Sequence, residues 1–275
     1  MKVPQAGAVA AVIALALTTS GCGGDDEPKG KLAIGIKFDQ PGIGMREADG
    51  TFTGFDVDVA TYVAKELGYK PDRIDFKQVY SNDRELLLQY NEVQFVAASY
   101  SISDKRKEKV DFAGPYFIAH QDLMVRAGDA SITKAEDLNN KRLCSVSGST
   151  SAENVRNKLA PKASLLELGG YSECVVALHD GLVDAMTTDN SILAGYTARK
   201  GNEGKFKLVG LSLSNESYGI GVKKGDKELQ GKINAALKKM VEDGSWEAAV
   251  KKNFGAADYK YEPAPQVTSG ITAGS

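Results

Sequence analysis

Between residues 31 and 258, short β-rich runs alternate with capped helical stretches, and that rhythm restricts the chain to an α/β layout built from βαβ units. The runs fall at 31–37, 73–79, 93–99, 142–146, 164–168 and 182–187, and together they predict a mostly parallel sheet. One helix is expected over 56–67, stopped by Gly68. A second is expected over 83–90 with Asn82 as its cap, and a third from a cap at Asp226 to Asp243. In the third, Leu229, Ile233, Leu237 and Met240 recur on one face, which is the patterning of a core-facing helix. No internal repeat, low-complexity core segment or coiled-coil heptad interrupts this pattern. At 42% hydrophobic residues overall, the stretch can bury one large core or two small ones.

Residues 1–22 stand apart from that core. Lys2 precedes an apolar, alanine-rich run from Ala6 to Leu17, too short to span a membrane permanently, and small residues follow up to Cys22; this is the form of an export signal. The stretch Leu17-Thr18-Thr19-Ser20-Gly21-Cys22 has the small-residues-then-Cys pattern of a bacterial lipoprotein cleavage site, where the thiol of Cys22 is lipidated and becomes the mature N-terminus. Thr19 stands where an aliphatic residue is usual, and simple secretion with an incidental cysteine is the alternative. Residues 23–30 are polar, acidic and bear Gly and Pro, as a flexible tether does, and 259–275 is expected to be a disordered tail. If Cys22 is lipidated, Cys144 and Cys174 remain as a pair for an oxidising compartment, with two buried free thiols as the alternative. A bridge between them would stabilise by about 3 to 4 kcal/mol on a chain-entropy argument. No Cys/His cluster has zinc spacing, so no metal is expected, and no cofactor motif is present. The 34 Lys and Arg against 36 Asp and Glu give a net charge of −2 with no basic face, which argues against a nucleic-acid partner.

The segment Gly54-Phe55-Asp56-Val57-Asp58-Val59-Ala60-Thr61-Tyr62-Val63-Ala64-Lys65-Glu66-Leu67 resembles the signature of the family 3 extracellular solute-binding proteins, the polar amino-acid-binding components of ABC importers. Further landmarks follow in that family's order: Ser99-Tyr100-Ser101-Ile102-Ser103-Asp104-Lys105-Arg106, Val110-Asp111-Phe112-Ala113-Gly114-Pro115-Tyr116-Phe117, Gly148-Ser149-Thr150-Ser151, and Asp184-Ala185-Met186-Thr187-Thr188-Asp189. Gln94 stands where relatives often carry Asp, and Ser103 where they often carry Thr. Within the family the chain is most similar to actinobacterial glutamate-binding lipoproteins, through Phe38-Asp39-Gln40-Pro41-Gly42-Ile43-Gly44, the Cys144/Cys174 pair and Thr187-Thr188-Asp189. The resemblance covers residues 31 to about 258. It implies a type II periplasmic-binding-protein clamp of two α/β lobes joined by two hinge strands, with lobe one at 31–122 plus 217–258 and lobe two at 123–216. It also implies a monomer held outside the cytoplasm by its lipid. There it would capture a free amino acid, glutamate first and glutamine or aspartate next, for a membrane permease.

A zwitterion taken from water into a closed cleft needs each charge matched, because an unpaired buried charge costs several kcal/mol. At the family's position, Arg106 is assigned to the α-carboxylate, which a guanidinium fork accepts at both oxygens. Alone, an Arg between Lys105 and Lys107 would read as a solvated face. Ser99, Tyr100, Ser101 and Ser103 surround it with hydroxyl and backbone partners. Ser149 and Thr150 precede a helical stretch, where N–H groups favour an anion and where the hydroxyls would also serve as caps. Asp189 resembles the carboxylate that takes the α-ammonium, with helix capping as its local alternative. Phe38 and Tyr218 are candidate walls. Lys37, at a strand end, is assigned to a side-chain carboxylate, with Arg46 as second candidate and surface exposure as the alternative for both.

Catalysis is not encouraged by the residues. There is no nucleophile elbow or phosphate loop, and His120 and His179 stand alone. The glycine-rich run from Gly219 to Gly225 sits in an expected strand, and helix-dipole compensation accounts for Asp56 and Asp58. A sensor module read by a separate partner would look the same in sequence.

Overall fold

The computed structural model describes residues 30–257 and 259–268. The leader with Cys22, and the tether up to residue 29, lie outside the described residues.

β1 (Leu32–Ile36) is almost wholly buried, as suits a strand with neighbours on both edges and cover on both faces. β2 (Asp39–Gln40), β3 (Gly44–Arg46) and β4 (Phe52–Thr53) form a small antiparallel sheet of their own. Gly54, at φ 123, then admits the first helix; a Cβ there would lie 2.3 Å from the Ile43 carbonyl oxygen. α1 (Phe55–Glu66) ends against Gly68 at φ 88, as the sequence predicts. β5 (Ile74–Gln78), α2 (Arg84–Gln89), β6 (Phe95–Ala97) and the short α3 (Asp104–Lys107) follow. Asn82 does not cap α2. The turn closed by Asp83 N–H on the Tyr80 carbonyl (3.2 Å) delays the helix, and Asp83 takes the cap position without a side-chain bond.

β7 (Val110–Arg126), 17 residues long, carries the chain out of this first lobe. The second lobe holds β8 (Arg142–Val146), α4 (Thr150–Asn154), β9 (Ser164–Leu168), α5 (Tyr171–His179), β10 (Ala185–Asp189), α6 (Asn190–Ala198) and β11 (Phe206–Leu208). β12 (Ser214–Lys223) brings the chain back, and α7 (Lys227–Glu242) and α8 (Ser245–Phe254) complete the first lobe. Asp226 caps α7 through Leu229 N–H (3.0 Å), and Ile233, Leu237 and Met240 are buried on its inner face.

β1 lies parallel between β5 and β6, and β8 parallel between β9 and β10. The junction is different: β6–β12, β12–β7, β7–β10 and β7–β11 are all antiparallel. The expected mostly parallel sheet is therefore corrected to two parallel lobes with an antiparallel centre. The physical reason is connectivity, since the chain leaves on β7 and returns on β12 in the opposite direction. The result is the two-lobed clamp with two hinge strands.

Cys144 on β8 is bridged to Cys174 on α5, with Cα atoms 5.5 Å apart. The tail departs from expectation. Residues 259–268 are not loose: Tyr259, Tyr261, Ala264 and Val267 pack on the main core.

Candidate functional site

Between the lobes lies a small polar cavity, lined by Ser81, Arg84, Ser99, Ser101, Arg106, Ser149, Thr150, Tyr171 and Asp189. A larger open groove on the first lobe, beside Leu67, Tyr69 and α7, has no comparable convergence of buried charge.

Arg106 is nearly buried in α3, whose first turn Ser103 caps by accepting the Arg106 N–H (3.3 Å). Its guanidinium donates to the Ser101 carbonyl (2.6 Å) on one lobe and the Gly148 carbonyl (2.9 Å) on the other. Arg84, which sequence reasoning missed, is 2% exposed and donates to the carbonyls of Ser81 and Ala98 (3.1 and 3.0 Å). Tyr100 lies behind both, its ring centroid 4.0 Å from the Arg84 guanidinium and 5.0 Å from that of Arg106. A third cation, Lys37, is 2% exposed at the end of β1 and donates to Ser81 Oγ (2.7 Å), reaching the cavity through that hydroxyl. Burial, then the neighbouring Arg84, brings the Lys37 ammonium down to about 7. Burial and Arg106 bring Arg84 down to about 10.

Opposite these cations stands Asp189, at the end of β10. It occupies the cap position of α6 but makes no side-chain cap bond, so the capping role that its sequence allows is not the one it plays. Tyr218 donates to its Oδ2 (2.5 Å), while Oδ1 is buried with no donor among the described residues. Burial, then nearby Glu216, pushes the Asp189 carboxyl up to about 8. A cationic donor placed at Oδ1 would reverse that shift, which is what an α-ammonium would supply.

The hydroxyls divide between wall and frame. Ser149 caps α4 by accepting Ala152 N–H (3.0 Å) and also lines the cavity. Thr150 donates to Glu216 (2.8 Å) and lies 3.5 Å from Ser101 Oγ. Ser99 sits at φ 42, a conformation that costs a non-glycine residue energy. Buried Asp56 holds it there, accepting Ser99 N–H (2.7 Å) on one oxygen and the Tyr116 hydroxyl (2.6 Å) on the other. Asp56 is thus a bracket for the site, a task beyond the dipole compensation read from its place at a helix start; Asp58 instead binds Lys252 and Asn253 at the surface. Burial pushes the Asp56 carboxyl up to about 6 against those two bonds.

Six predicted residues, Ser99, Ser101, Arg106, Ser149, Thr150 and Asp189, therefore meet at one cavity. Tyr100, Ser103 and Tyr218 stand behind it as supports, and Phe38 is half-buried with its ring edge-on to Tyr80, centroids 5.0 Å apart. Arg46 is corrected: it lies exposed on β3, where the strand that would carry it inward turns its side chain to solvent. Arg84, Ser81 and Tyr171 are the additions. No group of metal-holding side chains occurs among the described residues. The arrangement can bind and neutralise a small zwitterion.

Comparison with known proteins agrees with this geometry. The model of the bacterial extracellular solute-binding proteins, family 3, matches residues 32–256. The chain belongs to that family, whose members bind free solutes outside the cytoplasm. It is 42% identical over 268 residues to the glutamate-binding protein GluB of Corynebacterium efficiens, covering 91% of this chain and 90% of that one. It is also 39% identical to the glutamine-binding protein GlnH of Bacillus subtilis, covering 81% and 80%. An ancestral arginine-binding protein, solved bound to arginine, superposes with a TM-score of 0.77 at 36% identity, covering 82% of this chain and 99% of that one. These relatives are binding proteins, and the chain is an amino-acid-binding protein of the ABC-importer kind.

Proposed function

We propose that this protein is the lipid-anchored capture component of an amino-acid importer and that its ligand is L-glutamate. The observation that carries the reading is charge. Lys37, Arg84 and Arg106 converge on a cavity lined by a single carboxylate, Asp189. Glutamate brings two carboxylates and one ammonium, so each of its charges meets an opposite one. Glutamine would bring one carboxylate fewer to the three cations, whose own neighbours Asp39 and Glu85 supply only part of the opposite charge. Arg106 and Thr150 would hold the α-carboxylate, Asp189 the α-ammonium, and Arg84 with Lys37 the side chain. Similarity to GluB supports the same ligand, and similarity to GlnH makes glutamine its first competitor. Closure, with the hinge dividing the strands at 122/123 and 216/217, would present both lobes to a membrane permease.

Titration calorimetry with glutamate, glutamine, aspartate, asparagine, arginine and cystine tests this. Glutamate should bind most tightly, Arg106→Ala should abolish binding, and Lys37→Ala should narrow the preference over glutamine. Absence of binding to any amino acid would sink the reading. Lipidation of Cys22 is tested separately, since Cys22→Ser should release the protein into the medium.

A further inference from the structure

The stretch expected to be loose, residues 259–268, lies across both hinge strands. We infer that it is a hinge strap that stabilises the closed clamp and so sets how long the ligand stays bound; the inference rests on the capture function proposed above. Its start is anchored on the first lobe, where the Tyr259 ring packs 5.3 Å from Phe254 and Tyr261 lies edge-on to Trp246 at 6.1 Å. From there Tyr259 Oη donates to Asn190 Oδ1 (2.9 Å). Asn190 is the first residue of α6, in the second lobe, and it also accepts the His120 N–H (3.0 Å) from β7. Next, Glu262 Oε1 meets His120 Nε2 (2.6 Å), whose other ring nitrogen meets Asn215 Oδ1 (2.9 Å). His120 and Asn215 face each other across β7 and β12, so this chain of bonds spans both strands at the point where the lobes pivot. Finally Thr268 N–H reaches the Gly114 carbonyl (3.3 Å), back in the first lobe.

A segment tied to the first lobe at both ends, and to the second through the hydroxyl of its first residue, Tyr259, gains its Asn190 contact only when α6 is near. It therefore adds free energy to the closed state without touching the ligand. One such hydrogen bond changes a two-state balance by about three- to tenfold.

The test measures glutamate dissociation by stopped flow, and the radius of gyration of the ligand-free protein by small-angle scattering, in Tyr259→Phe and in a chain ending at residue 258. Tyr259→Phe keeps the ring packing and removes only the hydroxyl. We expect dissociation about three- to tenfold faster with an unchanged ligand-free melting temperature, and a larger ligand-free radius when the strap is removed. Unchanged dissociation and an unchanged radius in both variants would overturn the strap. If the shortened chain does not fold, Tyr259→Phe decides alone. If the wild type binds no glutamate, the ligand assignment has failed while the scattering comparison still judges the strap.

Discussion

Asp189 illustrates what a binding carboxylate costs the protein that carries it. The fold buries it beside Glu216 and raises it to about 8, so the folded closed form prefers it protonated. A carboxyl raised in this way contributes stability below its unfolded value of 3.8 and loses it as pH rises towards 8. Asp189→Asn, with no such titration, should therefore be more stable than wild type by about 1 to 2 kcal/mol near pH 8, a difference that shrinks toward pH 4. Thermal melting across that range checks the sign. The same variant should lose amino-acid binding by at least about a hundredfold, because a neutral amide replaces an ion pair. Arg84 should behave in the complementary sense: Arg84→Met is expected to reduce glutamate affinity more than glutamine affinity, measured by calorimetry. Arg106 and Asp189 were legible in the sequence through their motifs. Arg84 was not, since Ser-Asn-Asp-Arg-Glu reads as a solvated helix start. A signal did exist, because Arg84 shares a helix face with Leu88 four residues on, and these two are the buried residues of α2.

Among the elements, the second-lobe frame depends on the bridge from β8 to α5. Tyr171, the first residue of α5, lines the cavity, and Ser149 follows β8 within one turn. Replacing both Cys144 and Cys174 by Ser should cost about 3 kcal/mol, read as a lower melting temperature. It should also increase amide exchange in α5 and weaken binding modestly by loosening Tyr171. The short lobe strands were readable because each is a compact β-rich run: 142–146 and 164–168 coincide with β8 and β9, and the others shift by a few residues. β7 was not read as a strand. It is buried along nearly its whole length, with Gln121 and Asp122 buried in its middle, so neither an alternating pattern nor an unbroken apolar run marks it. The two-residue β2 and the strap carry little periodicity, although Tyr259 and Tyr261, two apart, are the spacing of a segment with one face buried.

At the scale of the molecule, the described conformation is the closed clamp. Lys105 meets Glu153 at 2.8 Å, Ser172 N–H reaches Asp39 at 3.1 Å, the Tyr196 hydroxyl donates to the Asp39 carbonyl, and Arg106 ties Ser101 to Gly148. The exposed ion pair adds little; the buried contacts matter because they exist only when the lobes meet. The tightest approach is between Gly195 in α6 and the 39–42 turn of the first lobe, where an added Cβ would lie 2.0 Å from the Pro41 carbonyl oxygen. Backbone on both sides leaves no flexible side chain to yield. Within its own lobe the position is helical, where alanine is favoured over glycine by roughly 1 kcal/mol. Gly195→Ala should therefore leave the ligand-free melting temperature equal or slightly higher, yet hold the lobes apart. The expected result is glutamate binding weakened by about ten- to a hundredfold, together with loss of the ligand-induced decrease in radius of gyration. Full affinity and normal compaction in that variant would mean that α6 does not approach the 39–42 turn in the bound state, and that closure follows a different path from the one these contacts define.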